Sequence, residues 1–402
     1  MSTKNFKTQT VLYSADNPTP TTEDVWCVAI DVGYSAVKGY SKNHIFSFPS
    51  FIRKTDLNDI VVEHFDKDVI QFKDDANGAY DIGNRAIELS SINETYGSDK
   101  SLYSRDRYNT TLFHILVKAA LGISLSKNKY SGYEGQDIYV QTGLPSDYKD
   151  DVNAIVSAFA GHHVFDLRFG GRSEWTHFDF TIKKENVSVM PQPMGSFWCA
   201  LFDGSGKPVA GSSKLLRENS IIFDGGFGTL DSHSIKKLSV EKSLTYPEFG
   251  MREVFTRTSD EIAEKYGIKI PVPFLQKYLE SGEFTYRART GEAEIDILDP
   301  STYEVRTGKI DEILQKHSRD VAIKALRTVA EGNNRFDDYD NIIVTGGCGE
   351  AWKDIIEELI APLGKNIIYA NRNERLSAIF NNVRGYYMFL LSQFKNSNRK
   401  DD

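Results

Sequence analysis

The sequence predicts an α/β protein built as two domains. The chain has 402 residues, 40% of them hydrophobic, enough for two ordinary domains with separate cores. Short apolar runs of strand length alternate with amphipathic helical stretches from residue 25 onward. The segment 203–213, DGSGKPVAGSS, is a small, turn-rich connection of the kind that separates domains. The expected organisation is a flexible arm at 1–24, a first domain over 25–215 closed by a returning helix within 376–402, and a second domain over 216–375.

Residues 1–24 are polar and turn-rich, with no apolar stretch of signal-peptide type, and read as a mobile arm or a strap on a neighbouring subunit. Val25–Ile30 is an apolar run suited to a central strand, stopping at Asp31-Val32-Gly33. A second extended piece runs from Val37 to Phe48, and strands alternate with turns from Phe51 to Ile82. Within 108–121, Leu112, Ile115, Leu116 and Ala119 share one helical face. A strand over 137–142 breaks at Gly143-Leu144-Pro145, and Val152, Ile155, Val156 and Phe159 mark the helix after it. Gly170-Gly171 suggests a hairpin turn, because Phe178, Phe180 and Ile182 then alternate. Beyond the connection, IIFDGG ends a buried strand, and helical patterns fill 250–281 and 309–331. Asn341–Thr345 reads as a strand, Gly346–Gly349 as a turn and Glu350–Leu359 as a helix. A last helix over 375–394 carries Ile379, Val383, Tyr386 and Leu390 on one stripe, which must bury against the first domain.

Three of these strands end alike: Asp31-Val32-Gly33-Tyr34-Ser35, Asp224-Gly225-Gly226-Phe227-Gly228-Thr229 and Thr345-Gly346-Gly347-Cys348-Gly349. Glycines at such junctions permit close backbone approach and leave N–H groups free to donate to anionic oxygens. Aspartates at two strand ends, Asp31 and Asp224, can hold a hydrated Mg²⁺ through its waters, and Lys38 can reach back to a phosphate oxygen. A single such turn is commonly only a hairpin. Three of them, spread over both halves of the chain, point to a nucleotide cleft.

Other chemistries drop out. No GxxxxGK[ST] occurs, and no GxGxxG opens a helix after a strand. Cys27, Cys199 and Cys348 are far apart with no CxxC, which argues against zinc and a disulfide framework and for a reducing cytoplasm. A net charge of −8 without a basic tract gives no grip on a phosphodiester backbone or an anionic membrane, and no apolar run approaches membrane-helix length.

The order Asp-x-Gly-x-Ser-x-x-Lys, a strand ending in Leu-Pro, Asp-x-Gly-x-x-Thr-Leu-Asp and a Gly-Gly turn before a helix resembles the actin-like ATPase superfamily. Within it, AIDVGYSAVK (29–38), DIYVQTGLPSDY (137–148), VSVMPQPMGSFW (187–198), IIFDGGFGTLDSHSI (221–235) and NIIVTGGCGEAWKDII (341–356) resemble the plasmid-segregating bacterial actins of ParM type. The resemblance implies two domains, each with a five-stranded ribonuclease-H-like mixed sheet flanked by helices, and ATP, or GTP in its place, with Mg²⁺ in the cleft between them. It implies a first phosphate loop of Asp31, Gly33, Tyr34, Ser35 and Lys38. The second is Asp224, Gly225, Gly226, Phe227, Gly228 and Thr229, with Gly346, Gly347 and Cys348 at the adenosine. Asp147 falls where the family places a water-positioning glutamate, and capping of the following helix is its alternative or additional role.

Two departures stand out. Tyr34 replaces a small hydroxyl residue, and Phe227 replaces a small residue whose ring would either crowd the γ-phosphate or point into the core. The implied function is an ATPase that assembles into homopolymeric filaments on binding ATP, disassembles on hydrolysis, and segregates plasmid DNA through a DNA-bound adaptor of ParR type in the bacterial cytoplasm. A small-molecule kinase on the same scaffold is the alternative.

Overall fold

The computed structural model describes residues 10–14, 24–55, 66–90, 104–129, 131–145, 148–204, 206–236, 239–276, 278–279, 281–289, 303–372 and 376–397. Strands β1 (Val11–Ser14), β2 (Val25–Val32), β3 (Ala36–Ser41), β4 (His44–Pro49), β5 (Ile52–Thr55), β6 (Ile70–Asp74), β7 (Gly78–Ile82), β8 (Asp137–Leu144), β9 (Gly161–Phe169), β10 (Thr176–Ile182) and β11 (Val187–Pro191) fall in the first half. The second half holds β12 (Ser220–Gly225), β13 (Leu230–Lys236), β14 (Ser239–Tyr246), β15 (Glu283–Arg289), β16 (Tyr303–Lys309), β17 (Asn341–Thr345) and β18 (Asn366–Tyr369).

One topology is used twice. In the first half, β4-β3-β2 is an antiparallel meander, and β8 and then β11 add in parallel beside β2. In the second half, β14-β13-β12 is the meander, and β17 and then β18 add in parallel beside β12. The central strands of both sheets are buried on both faces, as parallel pairing with helical crossovers requires.

Period-two alternation sends Trp26, Val28, Ile30 and Val32 into one core, against the Thr111–Leu125 helix, and Cys27 and Ala29 into another beneath the Asn381–Ser397 helix. Ile221 and Phe223 point the same way as Ile342 and Val344, while Ile222 and Ile343 face the Gln192–Leu201 helix. A separate antiparallel sheet, β10-β9-β6-β7-β5, and the β15–β16 ribbon complete the described strands.

Three expectations change. Residues 11–14, placed in a flexible arm, form β1 and pair with Ser47 to His44 of β4, so the first sheet has six strands rather than five. Leu12 packs on the first core, which supplies the stabilisation that a polar tail would lack. The remaining residues of that arm, 1–9 and 15–23, lie outside the described residues.

Residues 203–213 are not where the chain changes lobes. Phe202 bridges Pro208, and the short Ser212–Leu215 helix drops Leu215 under the second sheet. The crossing happens earlier, because the Gln192–Leu201 helix leaves β11 of the first sheet and buries Phe197, Cys199, Ala200 and Leu201 against the second. Gly346–Gly349, expected as a turn, is instead the opening of the Gly346–Ala351 helix. Near the C-terminus, Phe380, Val383, Tyr386, Tyr387 and Leu390 pack with Cys27, Ala29 and Tyr40 of the first sheet.

The two crossover helices touch through glycine. A Cβ at Gly385 would stand 1.6 Å from the Gly195 carbonyl oxygen, and one at Gly195 would stand 2.7 Å from the Asn382 carbonyl oxygen. No side chain larger than hydrogen fits this crossing, which joins the lobes at the floor of the cleft.

Candidate functional site

The duplicated topology aims the ends of β2 and β12 at one cleft of about 340 Å³. Its lining includes Asp31, Gly33, Tyr34, Ser35 and Lys38 from one lobe, Gly226, Phe227, Gly228 and Thr229 from the other, and Gly346, Gly347 and Cys348 from the helix after β17. Asp224 lines it as well, while Gly225 sits just behind, where an added Cβ would strike the Cys348 side chain at 2.4 Å. Ligands of open α/β sheets bind at such carboxyl ends of strands.

The first loop is set by hairpin register. Asp31 and Lys38, seven apart in sequence, are direct cross-strand partners in β2 and β3, which brings the Lys38 ammonium to 3.5 Å from the Asp31 carboxylate. The other Asp31 oxygen accepts a 3.0 Å bond from the Gln192 amide. Gly33 N–H closes the turn on the Ala36 carbonyl at 3.1 Å, and Ser50 donates to the Gly33 carbonyl at 2.7 Å. The Tyr34 ring lies under the Arg107 guanidinium, 4.4 Å from its carbon to the ring centroid, and reaches the second loop: a Cβ on Gly228 would stand 2.0 Å from the ring. Burial holds the Tyr34 phenol well above its usual range.

The second loop is pinned by backbone bonds, with Gly226 N–H donating to the Thr229 carbonyl at 2.9 Å and Arg252 N–H to the Phe227 carbonyl at 2.7 Å. The Phe227 ring turns into the second core, 5.6 Å from Phe255, and so leaves the phosphate path free. Thr229 donates its hydroxyl to Asp231 at 3.0 Å. Asp224 pairs in register with Asp231 and Thr345, and one of its oxygens accepts a 2.8 Å bond from Asn382. Burial, helped by the nearby Asp31 charge, raises the Asp224 carboxyl to about 6, against the pull of the Asn382 bond and of Lys38.

In the third segment, Gly346 has φ 76°, and an added Cβ would come within 2.4 Å of the Gly225 carbonyl. A Cβ at Gly347 would meet nothing within 4 Å, which makes it the open position over the cleft. Cys348 is buried and its thiol donates to the Gly226 carbonyl at 3.0 Å. It ties the third segment to the second loop, while burial pushes its pKa up and keeps it a thiol. Asp147 lies outside the described residues; its neighbour Pro145 lines the cleft.

Asp31 and Asp224 are buried carboxylates in one cleft, each with one oxygen held by an amide. Hard oxygen donors on opposite walls, with Lys38 as the neighbouring cation, suit a hydrated Mg²⁺ that keeps most of its waters. Among the described residues no group of three or more His, Cys, Asp or Glu gathers as a direct metal site.

Residue patterns alone missed Gln192, Asn382, Thr345 and Arg107. The amides come from the two crossover helices, and Ser196 links them by contacts of 2.6 Å to Thr345 and 2.5 Å to Asn382. Only the tertiary crossing puts them at the strand ends.

Residues 29–195 match the family model of actin-like protein N-terminal domains. The chain has an actin-like fold. A non-polymerisable quadruple mutant of pCBH ParM superposes with TM-score 0.66 at 18% identity, covering 92% of this chain and 99% of that one. A 15-stranded ParM filament from Clostridium botulinum gives 0.64 at 19%, covering 92% and 100%. An archaeal actin homologue in complex with ADP gives 0.58 at 18%, covering 91% and 99%. No curated protein sequence matches the chain. Among the described residues, no helix of this actin-like chain is long and apolar enough to cross a membrane.

Proposed function

We propose that this actin-like chain is a nucleotide-dependent filament protein that binds Mg-ATP between its lobes, assembles in that state and disassembles after hydrolysis. The carrying observation is the cleft of about 340 Å³ in which glycine loops from both lobes face each other across Asp31 and Asp224. The similarity to ParM structures, one of them a filament, supports self-assembly over the small-molecule kinase alternative. Plasmid segregation through a DNA-bound adaptor is the cellular role this reading carries.

The chemistry divides among named residues. Backbone N–H groups of Tyr34, Ser35 and Gly228 would donate to phosphate oxygens, Gly33 and Gly226 would shape the turns through their bonds to Ala36 and Thr229, and Lys38 would neutralise charge on the phosphates. Asp31 and Asp224 would hold Mg²⁺ through water, and the metal supplies charge neutralisation at the phosphates. Gly347 leaves space for the nucleoside, and Asp147 is assigned to orienting the attacking water. Binding across the cleft would draw the lobes together about the Gly195–Gly385 crossing, and loss of the terminal phosphate would relax them.

Light scattering and sedimentation of the full chain with Mg-ATP, Mg-ADP, Mg-GTP and no nucleotide test this reading. Assembly with a triphosphate and reversal as phosphate is released support it. A monomer under all conditions, with ATP turned over only when a sugar or polyol is added, would replace it with the kinase.

A further inference from the structure

We propose that Arg107 is the receptor for the terminal phosphate of the nucleotide, an inference that rests on the nucleotide reading of the cleft. Arg107 sits on the 3-10 turn Arg105–Asn109, which leads into the Thr111–Leu125 helix. It is 5% exposed and lines the cleft. Its Nη2 donates to the Val32 carbonyl, which fixes the guanidinium beside the first loop. Nε and Nη1 are buried and have no hydrogen-bond partner, and among the described residues no carboxylate pairs with this side chain.

A buried guanidinium with unpaired donors is costly, and the group that resolves it is a planar or tetrahedral oxyanion gripped by the fork. Three rings hold the cation in place: Tyr34 at 4.4 Å, Tyr108 at 5.1 Å and Phe113 at 5.4 Å from its carbon to the ring centroids. This is the preorganisation a phosphate receptor needs, and an arginine serving only to fill the core would gain nothing from two idle donors.

Position selects the terminal phosphate. The third segment, with Gly347, lies at the nucleoside end in this reading. Arg107 is anchored to Val32 and stacked on Tyr34, whose ring reaches Gly228, so it stands at the seam where the first and second loops meet. Lys38, the other cation there, is already paired with Asp31. Arg107 would therefore distinguish a triphosphate from a diphosphate.

Titration calorimetry of the full chain tests this, using Mg²⁺ with a non-hydrolysable ATP analogue and, separately, with ADP. For Arg107→Gln the analogue should weaken roughly 10- to 100-fold, while ADP changes less than about threefold. Arg107→Lys, which keeps the charge and loses the fork, should shift the analogue-to-ADP ratio by roughly fivefold or more. Equal weakening of both nucleotides, or an unchanged ratio, assigns Arg107 a structural role and overturns the inference while the nucleotide reading stands. If Arg107→Gln does not fold by its melting profile, the Arg107→Lys ratio decides. A wild-type chain that binds neither nucleotide overturns the nucleotide reading itself.

Discussion

Replacing Asp224 by Asn should make the nucleotide-free protein more stable, even though it removes a residue assigned to the site. Asp224 is buried at the end of β12, and its carboxyl rises from an ordinary 3.8 to about 6 because burial disfavours the anion and Asp31 adds repulsion. Below pH 3.8 both folded and unfolded chains hold the proton, and the group is neutral to folding. Between 3.8 and about 6 the unfolded chain sheds it first, so stability falls as pH rises; above about 6 the full cost is in place. At about 1.4 kcal/mol per pH unit that cost is about 3 kcal/mol at pH 8, an upper value because local relaxation and water lower it. About half of it remains at pH 5.

In Asp224→Asn the side-chain carbonyl still accepts from Asn382, and the buried charge is gone. Urea denaturation of both proteins in EDTA at pH 8 and pH 5 measures the difference. The variant should gain up to about 3 kcal/mol at pH 8 and roughly half that at pH 5. A variant less stable than wild type at pH 8, or a gain equal at both pH values, would refute this account of the carboxylate.

Further outcomes follow from close approaches. Gly385→Ala should cost about 3 kcal/mol or more, since its Cβ would stand 1.6 Å from the Gly195 carbonyl and separate the crossover helices; a loss below about 0.5 kcal/mol in denaturation would show that the crossing is loose. Gly228→Ala should cost about 1–3 kcal/mol because its Cβ meets the Tyr34 ring at 2.0 Å, and that cost should vanish in a Tyr34→Ala background; a double-mutant cycle with no coupling removes this interlobe contact. Deleting residues 1–24 should lower stability by about 1–2 kcal/mol through loss of β1 and Leu12, and a melting temperature equal to that of the full chain would mean that β1 contributes nothing.

What could be read from residues and what could not divides along a physical line. Strand ends carry local signals: Val25–Ile30 into Asp31-x-Gly33, and Ile221–Phe223 into Asp224-Gly225-Gly226, each pair a hydrophobic run with a glycine backbone requirement. Those positions do converge in the cleft. Gly346 misled, because glycines predict a turn on propensity. Here a left-handed backbone and the nearness of Gly225 demand glycine at the opening of a helix. Val11–Ser14 gave no strand signal, since its partner His44–Ser47 lies far along the chain and its flanks are polar. Arg107 in SRDRYN has no periodic or motif context at all; its placement comes from the Val32 carbonyl and the aromatic rings around it.

The same residues that organise the cleft also leave it electrostatically unfinished, and this bears on why nucleotide would control assembly. Burial holds the Tyr386 phenol well above its usual range, Asp31, Asp224 and Asp231 push it the same way, and its oxygen has no hydrogen-bond partner, while Lys38 pairs with Asp31. Beside the first loop, on the same lobe as Asp31, Arg107 is a buried cation with idle donors. The guanidinium does not offset the carboxylates directly, because it is held by the Val32 carbonyl and the Tyr34, Tyr108 and Phe113 rings, while Asp31 and Asp224 are held by Gln192 and Asn382. On the proposed reading, a ligand bearing both a divalent cation and a terminal oxyanion would satisfy both at once, and Asp224 of the second lobe would join in only when the lobes are close enough to share it. Closure and occupancy would then be one equilibrium, with the close glycine crossing of the Gln192–Leu201 and Asn381–Ser397 helices as the proposed pivot. On this logic Asp224→Asn and Arg107→Gln should each weaken the triphosphate's stabilisation of the folded chain. Asp224→Asn should stabilise the chain without ligand at pH 8. Arg107→Gln trades the cost of its idle donors for loss of the Val32 bond and three ring contacts and should not, a contrast that thermal melts with and without Mg²⁺ and the ATP analogue would expose.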